Sequence, residues 1–428
     1  MVLYIDPGTG SMLFTVAVGL LTAAVFAFRK LFLKLRFYFS GGKQKRIGSE
    51  KEPIVIYAES KRYWNVFAAI CDVLERRKKD AVYLTASEDD PAFDRHYEHI
   101  RCECIGADNK AFAKLNMLKA DVLLSTTPGL GVYQWKRSKD VGWYVHIPHM
   151  SNDIVLYRMF GLDYYDAILL SGGYQEQQIR TLESLRNLPK KELPLAGMTY
   201  LDVMKARLDG EEPLPPHPVT VLLAPSWGES AILKRYGARI IEALLKTGYH
   251  VIVRPHPQSF TSEKEMIEGL MRQFPDGEQL EWNRDNDNFE VLRRADILIS
   301  DFSGVIFDFA LVFDRPIIYA DTSFDKAPYD ACWIEDELWT FKTLPKIGEQ
   351  LTEDKLDSLK ELIDGCLKEP KRQEARDEAR AEAWAYPGEA AKRAVDYLIE
   401  KQEQIRQKEA EAAAPKAEKP RKEQKQKA

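Results

Sequence analysis

Residues 295–320 read ADILISDFSGVIFDFALVFDRPIIYA. The apolar run at 296–299 suits a buried strand. SDFSG at 300–304 breaks it with hydroxyls and a glycine, 305–312 suits a helix, and PIIYA at 316–320 is a second buried strand. A strand, a turn that opens a helix and a strand of the same kind predict a parallel sheet covered on both faces. The same alternation extends upstream. VTVLLA (219–224) and HVIV (250–253) read as strands, with helices expected over 232–246, 263–272 and 289–294.

Ahead of this unit lies DGEEPLPPHP at 209–218, whose prolines and acids read as a linker. Before it the pattern runs once already. Strands are expected at 53–58, 81–85, 121–125, 142–146 and 167–170, with amphipathic helices at 64–77 and 176–188. The fold class is therefore α/β with two parallel-sheet domains, 51–208 and 219–400, on either side of the linker 209–218. Two such units face each other across a cleft, and ligands favour the carboxyl ends of parallel strands. Residues 401–428, mostly Lys, Glu, Gln and Ala, read as a charged, disordered tail.

Residues 1–50 read as a membrane anchor with a basic juxtamembrane segment. Residues 12–28 (MLFTVAVGLLTAAVFAF) carry no charge and span about 25 Å as a helix, close to the ~30 Å of a bilayer core. Asp6 is the only charged side chain before them, whereas Arg29, Lys30, Lys34, Arg36, Lys43, Lys45 and Arg46 follow. That bias predicts one transmembrane helix in the cell (inner) membrane, with the N-terminus outside and both domains cytoplasmic. A signal peptide would need a basic start and an A-x-A-like cleavage site, and neither is present.

Over the 428 residues, 61 Lys+Arg against 66 Asp+Glu give a net charge of −5, which does not suit a nucleic-acid binder. With 45% hydrophobic and 11% aromatic residues, a large core can be packed. Five cysteines without a CxxC pair suit buried thiols rather than a disulfide scaffold or a zinc site.

Candidate chemistry sits at strand ends. RPHP at 254–257 presents Arg254 and His256 on a stiff turn. Ser300, Asp301, Ser303 and Gly304 lie where backbone N–H groups at a helix N-terminus could hold an anion. Asp301 suits that place only when it pairs with a cation or binds a hydroxyl. In APSWGES (224–230), Ser226 and the Gly228 backbone could reach a phosphate, while Trp227 fits either the cleft or the core. In the first unit VHIPHMSND (145–153) offers His146 and His149 as bases, metal ligands or core residues. No metal-ligand set is assigned, and TTPGLG (126–131) lacks the full GxGxxG fingerprint, which argues against a dinucleotide cofactor.

Three of these stretches, ADILISDFSGVIFDFALVFDRPIIYA, VIVRPHP (251–257) and LLAPSW (222–227), resemble the CDP-glycerol glycerophosphotransferase family of teichoic-acid polymerases and primases. LAGMTYLD (195–202) is similar to a degenerate form of that family's G-x-P-R-x-D element. The resemblance implies that the two domains are Rossmann-like in a GT-B-like arrangement, and it implies transfer of glycerol phosphate from CDP-glycerol, or a similar nucleotide donor, to an acceptor hydroxyl with loss of CMP. It implies that His256 touches the donor diphosphate and that Ser300, Asp301, Ser303 and Gly304 form the donor-phosphate loop. The base belongs to a histidine loop of the first domain, with His149 or His146 as its counterpart. No cofactor is required, although a divalent cation could assist at the diphosphate. The acceptor would be lipid-linked or a glycan. A GT-B glycosyltransferase using a nucleotide sugar, and a membrane-tethered scaffold that kept a nucleotide pocket, remain the alternatives.

Overall fold

The computed structural model describes residues 50–320, 323–368 and 372–413. The membrane segment expected at 12–28 lies outside the described residues, as does the end of the tail from 414. Among the described residues no helix is long and apolar enough to cross a membrane.

Among the described residues, twelve strands form two parallel sheets. The first holds β1 (Glu52–Ala58), β2 (Ala81–Thr85), β3 (Ile100–Cys104), β4 (Ala120–Ser125), β5 (Val141–His146) and β6 (Ala167–Ile168), in the order β3-β2-β1-β4-β5-β6. The second holds β7 (Thr220–Leu223), β8 (His250–Val253), β9 (Leu280–Trp282), β10 (Ile297–Ser300), β11 (Ile317–Ala320) and β12 (Gly348–Leu351), in the order β12-β11-β10-β7-β8-β9. Central strands such as β1, β4, β7 and β10 are covered on both faces and are apolar at nearly every position. In register, Val55 sits beside Val82 and Leu123, and Leu222 beside Ile252 and Leu298.

The helix expected over 305–312 begins as an α-turn, Val305–Asp308, and closes as a π-turn, Phe309–Phe313, entirely buried. The helix expected over 232–246 is two, Ile232–Tyr236 and Ala238–Lys246, broken where Gly237 takes φ +55.

The chain crosses between the domains more often than a single linker requires. The helix Thr199–Gly210 buries Met198, Leu201 and Met204 in the second domain's core, while the Thr199 hydroxyl donates to the Val66 carbonyl at 2.7 Å in the first. After β11 the chain returns to the first domain, where Ala331, Ile334 and Leu338 pack with Ile154 and Tyr157. A buried ion pair, Arg186–Asp330, ties that excursion down.

The tail corrects an expectation. Residues 401–413, read as disordered, continue a helix, Ala390–Ala413, that lies on the first sheet. Val395 and Leu398 are buried there, Gln402 donates to Asp121 at 3.2 Å, and Arg406 does so at 2.7 Å. Composition misled because a helix needs only one apolar stripe, and here Ala394, Val395 and Leu398 begin it and the partly buried Ile405 carries it into the tail. The LAGMTYLD element serves this second crossing. Gly197 takes φ +94, and a Cβ there would run into the Ala385 carbonyl. Asp202 accepts from the Trp384 indole (2.8 Å) and from the backbone N–H groups of Gly388 (2.8 Å) and Ala390 (2.9 Å).

Candidate active site in the interdomain cleft

Both sheets reverse their winding at their centre, the first between β1 and β4 and the second between β7 and β10. The loops that leave those strand ends diverge to opposite faces and open a crevice. The two crevices meet in a cleft of about 340 Å³. From the first domain come Glu59 and Tyr63 after β1, Pro128 and Gly129 after β4, and His149, Met150 and Asn152 after β5. From the second come Ser226 and Trp227 after β7, His256 after β8, and Phe302, Ser303 and Gly304 after β10. The walls nearly touch, since a Cβ on Gly304 would stand 3.1 Å from that of Met150.

Asp301 organises the second wall from within. Its carboxylate is 1% exposed and accepts from the backbone N–H groups of Ser226 (3.0 Å), Ile232 (3.0 Å) and Ser303 (3.1 Å). Burial pushes its pKa up to about 6, against those three bonds. This answers the objection to a carboxylate beside an anion, because Asp301 points into the loops and pins them together. It also corrects the donor set expected of them. The Ser226 and Ser303 N–H groups are taken by Asp301, and the Gly228 N–H donates to Glu263 at 3.0 Å. Ser300 is fully buried and donates its hydroxyl to the Ala224 carbonyl at 2.7 Å. The Ser226 and Ser303 side chains and Gly304 remain on the cleft wall.

His256 faces the cleft beside Trp227, the two rings 6.3 Å apart and stacked. Its Nδ1 accepts from the Gln258 N–H at 3.1 Å, so the neutral ring carries its proton on Nε2 and is a hydrogen-bond donor without being charged. Burial, with Arg62, His149 and Arg254 nearby, lowers its pKa to about 4. Arg254, expected beside His256 on the RPHP turn, is not part of the cleft wall. Its guanidinium is turned to the Asn283 side chain and, at 2.9 Å, to the Asp285 carbonyl, so it bears on the site by charge rather than from the cleft wall.

On the first wall, His149 is half-buried, and its Nδ1 lies 2.8 Å from the Thr126 hydroxyl and 3.4 Å from the Tyr157 hydroxyl. Burial lowers its pKa to about 4, leaving it neutral at pH 7. His146 is fully buried behind it, with Nε2 3.3 Å from the same Tyr157 hydroxyl. The structure thus separates the two candidates, His149 on the cleft and His146 in the core. Desolvation raises the Glu59 carboxyl, against the opposing pull of the Thr127 and Tyr63 hydroxyls. Among the described residues, no group of three or more His, Cys, Asp or Glu could hold a metal ion.

Sequence reasoning passed over Glu59, Tyr63, Tyr157 and Arg158, all on the cleft. The signal for the first two was present, since the strand PIVIYA runs straight into ESKRY at its carboxyl end. Tyr157 and Arg158 follow a single short helical turn, Ile154–Leu156, and carried no pattern. Arg158 stacks its guanidinium 6.0 Å from the Trp227 ring, across the cleft.

No curated protein sequence matches the chain. Solved structures do match in fold. The wall teichoic acid polymerase TagF aligns at TM-score 0.57 and 16% identity, over 91% of this chain and 97% of that one. The UDP-GlcNAc 2-epimerase of Methanocaldococcus jannaschii, solved with UDP-GlcNAc and UDP, aligns at TM-score 0.53 and 14% identity, over 81% and 99%. A putative UDP-N-acetylglucosamine 2-epimerase from Listeria monocytogenes aligns at TM-score 0.51 and 12% identity, over 81% and 95%. These likenesses make the arrangement GT-B-like. The sequence itself matches the profile of the CDP-glycerol:poly(glycerophosphate) glycerophosphotransferases over residues 181–400, just over half of its 428 residues. That span carries the His256 turn and the Asp301 hub, and with it the chain belongs to the CDP-glycerol:poly(glycerophosphate) glycerophosphotransferase family of transferases.

Proposed function

We propose that this transferase moves glycerol phosphate, or a related polyol phosphate, from a CDP-activated donor to an acceptor hydroxyl in cell-envelope polymer synthesis. The supporting observation is that the two histidine loops, VHIPHMS and RPHP, line opposite walls of one narrow cleft. In this reading the donor diphosphate lies against the second wall, with His256 Nε2–H, the Ser226 and Ser303 hydroxyls and the Gly304 backbone around it. The acceptor hydroxyl lies at the first wall beside His149.

His149 takes the hydroxyl proton as that oxygen bonds to the donor's β-phosphorus. The bond from that phosphorus to the bridging oxygen breaks, and CMP leaves with the electron pair. Charge builds on the phosphoryl oxygens, where His256 and the nearby cations Arg62, Arg158 and Arg254 stabilise it. An anionic donor beside His149 raises that imidazole's proton affinity from its low resting value, so the base strengthens when substrate is in place. Residues 12–28 hold the domains at the cytoplasmic face of the cell membrane, within reach of a lipid-linked acceptor.

The test incubates the full chain in membranes with labelled CDP-glycerol, CDP-ribitol and UDP-sugars. Transfer of label from a CDP-polyol, with release of CMP, is expected. Transfer from a UDP-sugar alone overturns the proposal in favour of a sugar transferase.

A further inference from the structure

The buried groups behind His149 have no part in the reaction as drawn above, and they are costly to keep. His146 is fully buried, its Nδ1 has no hydrogen-bond partner, and burial holds the ring neutral. A core position at the end of β5 would be filled more favourably by an apolar side chain unless the polar one serves something. What His146 touches is Tyr157, and Tyr157 in turn touches His149.

A neutral histidine that is to accept a proton at Nε2 must carry its own proton at Nδ1. His149 Nδ1 is 2.8 Å from the Thr126 hydroxyl, the shortest contact in the group, while no hydrogen bond reaches Nε2 from the described residues. Tyr157 brings one proton and sits 3.3 Å from His146 Nε2 and 3.4 Å from His149 Nδ1. If that proton goes to His146, Tyr157 and Thr126 both offer His149 acceptor oxygens, which favours the Nδ1–H form. His146 is then the Nδ1–H tautomer, its ring in T-shaped contact with those of Tyr157 (5.2 Å) and Tyr165 (5.0 Å). The faces of such rings tolerate an N–H and repel a lone pair. Tyr165 is anchored in its turn, donating to the Thr127 carbonyl at 2.6 Å, next to Thr126.

We propose that Thr126 and Tyr157, backed by His146, are positioning residues that hold His149 in the tautomer and orientation whose Nε2 lone pair faces the acceptor hydroxyl. The proposal rests on His149 being the base. Thr126 is not part of the cleft wall, and the Tyr157 hydroxyl is turned to the two histidines. The effect of both hydroxyls passes through the imidazole, as does that of the buried partner that orients a catalytic histidine in hydrolases.

The experiment compares full-chain Thr126→Val, Thr126→Ser, Tyr157→Phe and His149→Ala in membranes, reading kcat and donor KM, with melting temperature as the folding control. Thr126→Val should lower kcat about 10- to 100-fold with donor KM within about twofold, because a misoriented base slows chemistry without touching donor binding. Thr126→Ser, which restores the hydroxyl, should recover most of the loss. Tyr157→Phe should lower kcat in the same way, and it decides the matter if Thr126→Val melts early. Wild-type kcat in both Thr126→Val and Tyr157→Phe, beside a dead His149→Ala, overturns the positioning role and leaves the base in place. A fully active His149→Ala instead overturns the base assignment on which the proposal stands.

Discussion

The helix Trp339–Ile347 begins with Leu338 at its N-cap, a residue with no side-chain oxygen to offer. Its first N–H groups are satisfied from the other domain. Asp153, 1% exposed and four residues beyond His149, accepts from the Trp339 N–H at 2.8 Å and the Thr340 N–H at 2.7 Å, and also from the Gln178 amide. Replacing Asp153 with Ala leaves two buried backbone donors and one side-chain amide without partners. Hydrogen bonds to a charged group contribute about 1.5–3 kcal/mol each, and loss of a cap alone costs roughly 0.5–2. Taking the two backbone bonds at the low end and adding the stranded amide, Asp153→Ala should cost about 4 kcal/mol. That is a large share of the ~5–15 kcal/mol that holds an ordinary domain. Asp153→Asn keeps one acceptor oxygen and should lose about half as much. Urea unfolding followed by tryptophan fluorescence reads this directly, because Trp339 stacks on Tyr174 at 4.5 Å beside the cap. Transfer activity should fall as well, since Asp153 belongs to the loop that carries His149. A loss below about 1 kcal/mol for the Ala variant would refute the reasoning, because the contacts would then be dispensable.

Other consequences can be measured. His256→Ala removes a neutral donor from the diphosphate wall and should slow transfer about 100- to 1000-fold with the melting temperature retained; turnover near wild type would remove His256 from the site. Because Asp308 is buried and its pKa is pushed up to about 7, the folded state holds that proton more tightly than the unfolded chain. Stability therefore falls as pH rises from the ordinary carboxyl range to about 7. Asp308→Asn should remove about 1 kcal/mol of the change between pH 6 and 7, and an unchanged slope in urea unfolding across those pH values would refute it. Deleting residues 1–40 should release the protein from membranes on fractionation, and a full-length protein already in the soluble fraction would contradict the anchor.

What could be read from the chain divides along physical lines. Strands covered on both faces announced themselves, since all but one position of HVIV and of AVYLT is apolar. The three strands that escaped notice, β3 (IRCEC), β9 (LEW) and β12 (GEQL), all stand at sheet edges. An edge strand is short and half-solvated, so its sequence resembles a loop. The same divide runs through the site. His149, His256 and the Ser303 turn were legible because they follow apolar strands directly, where ligands are met. Their local roles were not, because a donor's availability depends on distant partners. Nothing in SDFSG says that Asp301 occupies the N–H of Ser226, and nothing in APSWGES says that Glu263 occupies that of Gly228.

The closing helix Ala390–Ala413 bears on how the protein is made. One face of the first sheet, around Val122, Leu124 and Ile56, is covered by Ala394, Val395 and Leu398, which leave the ribosome only after the whole second domain. The first domain is therefore sealed only after the second has been synthesised, and it must wait with part of an apolar face bare while the second domain folds. A message cut short after codon 385 would yield a chain whose defect appears not where translation stopped but in the half made first.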